Sequence, residues 1–109
     1  MQRFALALDL KEDATLIAEY ERYHEKIPPA IEKSIRDAGV TGLEIYRVGT
    51  HMFMILEAAD DFSFDKKSKM DTANPDVQAW ETLMWKFQKA LPEAKAGEKW
   101  LLMKKIFEL

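Results

Sequence analysis

The chain has 109 residues, no cysteine and a formal net charge of −3. This length is enough for one domain with its own core, residues 1–109, and the lack of cysteine excludes disulfides, thiolate catalysis and zinc–sulfur sites. The charges are scattered apart from a small basic cluster at 66–69, so the sequence does not predict a nucleic-acid partner.

A strand and an interrupted helix open the chain. Residues 3–10 (RFALALDL) alternate large and small apolar side chains, which is typical of a β-strand. Residues 16–27 (LIAEYERYHEKI) follow with helical periodicity, and Asp13 is the expected N-cap. Because proline disfavours helical geometry in the residue before it, Pro28-Pro29 predicts a break. The pattern resumes beyond the prolines, and Gly39 is the expected terminator.

The middle of the chain predicts a β-hairpin. Two β-rich runs, 41–48 (TGLEIYRV) and 52–58 (MFMILEA), are separated by a short turn, Gly49-Thr50-His51. The second run is apolar at nearly every position, which indicates a central strand that is covered on both faces.

Two helices are predicted after the hairpin. Residues 59–73 contain a short one, with Asp60 or Asp61 as its expected cap. Asn74-Pro75-Asp76 begins the last helix, with asparagine at the N-cap, proline at the first helical position and an acid in the first turn. The apolar face of this last helix is marked by Trp80, Met84, Phe87 and Leu91.

A final strand over 100–107 (WLLMKKIF) completes the order βαββαβ. That order predicts an α+β, ferredoxin-like fold, with a four-stranded antiparallel sheet and helices on one face. The first, third and fourth strands carry apolar side chains on both faces, so the uncovered face would be a larger apolar patch than monomers usually expose. We therefore expect a homodimer that packs sheet against sheet.

Candidate chemistry centres on the first helix, where Tyr20 and His24 lie one turn apart at the edge of the apolar stripe. An imidazole can give or take a proton near neutral pH, although a packed histidine bonded to a carbonyl is the alternative. His51, in the predicted turn, is expected to be a surface residue. Trp80 is either core or one wall of a small-ligand cleft, since indole rings stack on planar and sugar surfaces.

The sequence predicts neither a metal nor a cofactor. Its two histidines lie in separate elements without a ligand set around them, and four glycines form none of the phosphate-binding loop motifs. No apolar stretch approaches the roughly 20 residues that cross a bilayer, and the N-terminus lacks a signal-peptide pattern. We therefore expect a cytoplasmic protein without a membrane partner.

Over essentially its whole length the chain resembles the L-rhamnose mutarotase family. The matching features are the opening strand, Tyr20-x-x-x-His24, the Ile27–Pro29 step, Ile45-Tyr46, 53–57 (FMILE), and Asp76-Val77 leading to Trp80-x-x-x-Met84. The resemblance implies a dimeric ferredoxin-like α+β barrel. It also implies an isomerase, needing no cofactor, that interconverts the α and β anomers of a free 6-deoxyhexose such as L-rhamnose or L-fucose.

The resemblance further implies that His24 is the proton donor and that Tyr20 and Trp80 bind the monosaccharide. At two substrate-binding positions the chain departs from the family, with Leu43 in place of a tyrosine and Glu81 in place of the second of two adjacent tryptophans. Because of these departures, the resemblance does not decide which sugar is the substrate. Two alternatives share the fold: a cofactor-independent monooxygenase-like barrel acting on a small aromatic ligand, and a non-enzymatic small-molecule binding module.

Overall fold

A computed structural model describes the whole chain, residues 1–109. The elements in chain order are β1 (Gln2–Leu10), α1 (Ala14–Glu25), α2 (Pro29–Asp37), β2 (Val40–Val48), β3 (His51–Ala58), α3 (Phe64–Thr72), α4 (Pro75–Trp85), β4 (Gln88–Lys89) and β5 (Leu101–Leu102). The antiparallel sheet has the order β2-β3-β1-β4, and β5 also pairs with β1. The predicted α+β ferredoxin-like fold is confirmed, with β3 central. No helix combines the length and apolarity that spanning a bilayer requires.

Local capping signals fix several helix ends. The Asp13 carboxylate accepts hydrogen bonds from the backbone N–H groups of residues 15 and 16, at 2.9 and 3.0 Å, and so caps α1. Asn74 caps α4 in the same way, with Pro75 at the first helical position. Pro29 begins α2, and Gly39 ends it with φ +97°, a conformation that favours glycine. The helix predicted to break at the prolines is therefore two helices, α1 and α2.

Two local predictions were wrong. His51 is not in the hairpin turn, because Gly49 and Thr50 alone form a two-residue turn and His51 opens β3 opposite Val48. The cap of α3 is Ser63, whose hydroxyl accepts from the N–H of residue 66 at 3.2 Å, and not Asp60 or Asp61. The aspartates fall in the turn that precedes the cap.

The C-terminal third differs most from its prediction. Helix α4 ends at Trp85 instead of continuing to Leu91. Phe87 is fully buried, but its backbone carbonyl accepts from the N–H of Lys11 at 2.9 Å, which starts the pairing of β4 with β1. Phe87 enters the core from the turn between α4 and β4, and its apolar side chain continued the helical pattern by chance.

The predicted final strand is also shorter than expected. Only Leu101–Leu102 pairs with β1, and the N–H of Met103 makes one further bond to the Ala5 carbonyl at 2.8 Å. Beyond this point the chain leaves the sheet, and the apolar residues of the C-terminal segment (103–109) are exposed: Met103, Ile106, Phe107 and Leu109.

The core lies between the helices and one face of the sheet. Alternate residues of β1 and β3 point into it, as their register shows in the pairs Leu6–Met54 and Leu8–Met52. Two buried clusters result, one around Leu6, Val40, Met54, Leu56, Ala58 and Phe62, and one around Leu8, Leu10, Tyr20, Met52, Met84 and Phe87. The second cluster underlies the site described below.

The opposite face of the sheet, the outer face, is open in a single chain. Ala5 and Ala7 of β1 pair with Ile55 and Phe53 of β3, and Phe53 pairs with Tyr46 of β2. The Phe53 and Tyr46 side chains are 37 % and 53 % exposed, and their rings lie 6.5 Å apart. The expectation that β3 is covered on both faces is therefore wrong for one chain on its own. The outer face is a contiguous apolar patch.

Candidate functional site

Helix α1 presents Tyr20 and His24 as a stacked pair. Their ring centroids are 4.3 Å apart, with 31° between the planes. The Nδ1 atom of His24 lies 2.8 Å from the backbone carbonyl oxygen of Tyr20. Because a carbonyl only accepts, Nδ1 must carry the hydrogen, and this assigns the tautomer of the neutral ring. The lone pair of a neutral His24 is therefore on Nε2, away from the helix backbone.

Trp80 reaches the same place from α4. Its ring centroid is 5.7 Å from that of His24 and 6.2 Å from that of Tyr23, to which it is nearly perpendicular. A phenol, an imidazole and an indole thus converge from two helices. The convergence follows from the second core cluster, since Tyr20 is one of its members and Trp80 packs against it.

Partial burial sets the protonation of these groups. Desolvation lowers the pKa of His24 below its usual 6.5, and the hydrogen bond to the Tyr20 carbonyl only partly opposes it. Burial raises the pKa of Tyr20 above 10, with the hydrogen bond from Gln88 acting in the opposite direction. At neutral pH the site therefore holds a neutral imidazole and a protonated phenol.

Three adjoining openings surround the aromatic groups. The interior cavity, about 470 Å³ between the sheet and α2 to α4, is lined by Leu43, Trp80, Glu81 and Gln88 among others. An outer groove of about 650 Å³ lies beside it, with His24 and Leu43 in its wall. A third opening of about 420 Å³ is bounded by Tyr20 and His24. His24 sits where the last two meet, and Leu43 separates the groove from the interior cavity.

The two positions that depart from the family, Leu43 and Glu81, both line the interior cavity. Leu43 packs against the first core cluster and offers no hydrogen bond. The backbone carbonyl of Glu81 accepts a bond from the Lys99 ammonium at 2.7 Å. Burial lowers the pKa of Lys99 to about 8, although the Glu81 charge acts to raise it. The cavity therefore has an apolar wall at Leu43 and a charged rim at Glu81 and Lys99.

One residue at this site was not anticipated from the sequence. Gln88 is only 4 % exposed, and its Nε2 donates to the Tyr20 hydroxyl oxygen at 3.3 Å. The sequence pattern predicted a helix with an apolar face continuing to Leu91 and did not single out Gln88. Its inward orientation depends on the two-residue strand β4, which pairs Gln88 with Leu10 and has no sequence signal of its own.

Comparison with known proteins gives a consistent result. The family model described as L-rhamnose mutarotase matches residues 3–109. An L-fucose mutarotase from Xanthomonas campestris pv. campestris is 44 % identical over 111 residues, covering 100 % of this chain and 89 % of that protein.

Two solved structures share the fold. An L-rhamnose mutarotase from Formosa agariphila superposes with a TM-score of 0.73 at 16 % identity, covering 100 % of this chain and 99 % of that one. A dimeric ferredoxin-like protein from an uncultured marine organism gives a TM-score of 0.60 at 14 % identity, covering 98 % and 96 %.

Proposed function

We propose a residue-level mechanism for this chain from the premise that it belongs to the L-rhamnose mutarotase family and is a sugar mutarotase, an isomerase. In this proposal it interconverts the anomers of a free 6-deoxyhexose, with His24 as the proton-transfer residue. The observation that carries the proposal is the position of His24, whose Nε2 is free at the edge of a cleft and whose ring is 5.7 Å from that of Trp80.

His24 is proposed to act first as a base. The resemblance assigns it as the proton donor, but its lowered pKa makes the neutral ring the resting form at neutral pH. Nε2 takes the proton of the anomeric hydroxyl, and the bond between the anomeric carbon and the ring oxygen breaks. The open-chain aldehyde then rotates. On closure, the imidazolium returns its proton to the former aldehyde oxygen, which gives either anomer.

The ring oxygen must gain a proton as the ring opens and lose it on closure. A water molecule or the Tyr20 hydroxyl is proposed for this role, since the raised pKa of Tyr20 keeps its hydrogen in place. Trp80 packs on the apolar side of the sugar, and the apolar lining of the interior cavity suits the 6-methyl group. No step requires a cofactor or a metal.

Between the two sugars, L-fucose is the first substrate to test, because the relative at 44 % identity is an L-fucose mutarotase. NMR exchange between anomers of L-fucose and L-rhamnose, with and without protein, measures the proposed activity directly. Oxygen consumption with quinol-type substrates tests the monooxygenase alternative, and sugar binding without exchange would indicate a binding module. We also propose that the enzyme is cytoplasmic.

The activity should depend on pH through His24. The neutral base exists above the pKa of His24, which lies below 6.5, so the enzymatic exchange rate should be level at neutral pH and fall as the pH drops through that pKa. The measurement is anomer exchange from about pH 4 to 8 after subtraction of the buffer-catalysed rate. An enzymatic rate that increases toward low pH would show that the protonated ring is the active form.

Trp80 is expected to contribute to sugar affinity. Replacing it with leucine removes the aromatic face and should raise KM for the preferred sugar about tenfold. Trp80→Phe keeps a smaller aromatic face and should lie between this variant and the wild type. Exchange kinetics at several sugar concentrations provide the KM values. Equal KM values in all three proteins would show that Trp80 does not bind the sugar.

We propose that two chains form a homodimer through the outer face of the sheet. The face is apolar along Ala5, Ala7, Phe53 and Ile55, and it is open in a single chain. A two-fold axis would pair this patch with itself, which is the usual geometry of dimers. The structural relative described as dimeric supports a dimeric state.

A further inference from the structure

Gln88, on the floor of the interior cavity, forms a buried polar pair with Tyr20, which borders the third opening. Both residues are 4 % exposed, and the Gln88 Nε2 donates to the Tyr20 hydroxyl oxygen at 3.3 Å. The other amide atom, Oε1 of Gln88, has no hydrogen-bond partner. It is the only buried side-chain nitrogen or oxygen in the protein that lacks one.

A buried amide oxygen without a donor is destabilising, and native proteins satisfy nearly all such groups. Rotating the amide by half a turn does not remove the deficit. Oε1 would then accept from the Tyr20 hydroxyl, and Nε2 would be left without an acceptor. In either orientation one polar atom of the Gln88 amide has no hydrogen-bond partner within the protein, and a bound molecule could supply that partner.

The surroundings of Gln88 indicate what that molecule is. Gln88 lines the interior cavity with Trp80 and with apolar side chains of the sheet and α4, including Leu6 and Met84. The cations of the same cavity already have partners, since Lys67 pairs with Asp71 at 2.6 Å and the Lys99 ammonium donates to the Glu81 backbone carbonyl at 2.7 Å. The unpartnered Gln88 oxygen is neutral and belongs to a cavity that an indole also lines, which suits a sugar hydroxyl better than an ion.

We propose that Gln88 forms a hydroxyl subsite at the floor of the interior cavity. Its Oε1 accepts a hydrogen bond from one hydroxyl of the sugar. Its Nε2 donates to the Tyr20 hydroxyl oxygen. The Tyr20 hydroxyl hydrogen can therefore be donated to a second sugar oxygen. Gln88 is thus a positioning and specificity residue. The inference rests on the proposed mutarotase function and names a contact that the function alone does not require.

The first test replaces Gln88 with methionine, which has a similar length and no amide. KM for the preferred sugar should rise about tenfold, with a smaller change in kcat. Gln78→Met is the matched control, because Gln78 lines the same cavity but is exposed and already donates to the Asp71 carbonyl at 2.9 Å. Its KM should equal that of the wild type.

The second test identifies the hydroxyl. The 2-, 3- and 4-deoxy forms of the preferred sugar are compared in wild type and Gln88→Met. One of them lacks the hydroxyl that Oε1 binds, so its KM should be the same in both proteins, while the other two should keep the tenfold difference. If Gln88 has only a structural role, Gln88→Met should raise KM by the same factor for all of the sugars.

A third variant, Gln88→Glu, preserves the shape of the side chain. Burial raises the pKa of a carboxyl group, and its protonated form offers both an O–H donor and a carbonyl acceptor. Sugar binding to this variant, followed by Trp fluorescence, should approach the wild type at low pH and weaken as the pH rises.

Two results would overturn the inference: an unchanged KM in Gln88→Met, or the same proportional loss for every deoxy sugar. A wild-type protein that exchanges neither L-fucose nor L-rhamnose would instead overturn the proposed substrate class. The two failures are therefore distinguishable.

Discussion

Replacing His24 with alanine should slow enzymatic anomer exchange by about 10²- to 10⁴-fold, the usual contribution of one positioned acid–base group. The lowered pKa of the His24 imidazole leaves it neutral and able to accept a proton at pH 7, whereas the Tyr20 phenol keeps its proton there. The cleft and its indole remain, so KM should change much less than kcat. NMR exchange spectra at saturating sugar measure the effect.

The second histidine provides a matched control. His51 is exposed at the start of β3 and lies beside Asp9, with 2.8 Å between its Nδ1 and the carboxylate. His51→Ala should therefore exchange anomers at the wild-type rate. If a folded His24→Ala variant is as fast as the wild type, or if both alanine variants slow the reaction equally, His24 is not the proton-transfer residue.

Replacing Phe53 with glutamate should convert the proposed dimer into monomers. Phe53 lies in the apolar outer face beside Tyr46, and a two-fold interface would bring two copies of the new carboxylate into one desolvated region. Burying two unpaired charges should weaken association by at least about 10³-fold. Light scattering coupled to size-exclusion chromatography measures the mass directly.

A charge placed in the helix layer tests whether the effect is specific. Ala79 is exposed on α4, on the side of the molecule opposite the outer face, so Ala79→Glu should leave the dimer intact. A Phe53→Glu protein that remains dimeric while folded would place the interface elsewhere. A wild-type protein that is monomeric at all concentrations would contradict the proposed dimer.

The parts of the fold that local chemistry controls were predictable. Asp13, Asn74 and Gly39 act through the backbone of their own neighbours, so their roles can be recognised in a short stretch of sequence. Ser63 was missed because two aspartates just before it offered equally good caps. Phe87 was misplaced because its burial depends on a contact with β1, which lies more than seventy residues away in the chain.

The candidate site was predictable to a similar extent. The spacing of Tyr20 and His24 indicated a pair on one helix face, and their ring separation of 4.3 Å agrees with it. The proximity of Trp80 could be inferred only from the family resemblance, because nothing in the spacing of α1 and α4 relates the two helices. The role of Gln88 could not be predicted from the sequence, because the inward direction of its side chain depends on a strand of only two residues.

The departure of the C-terminal segment (103–109) from the sheet leaves part of β1 unpaired along one side. No strand of the chain pairs with residues 2–4 there, and their free N–H and C=O groups form a template for any extended peptide. Arg3 lies within this unpaired stretch and is exposed, and a charged side chain on an edge strand disfavours pairing with another chain. A substitution of Arg3 by an apolar residue should therefore increase edge-to-edge association.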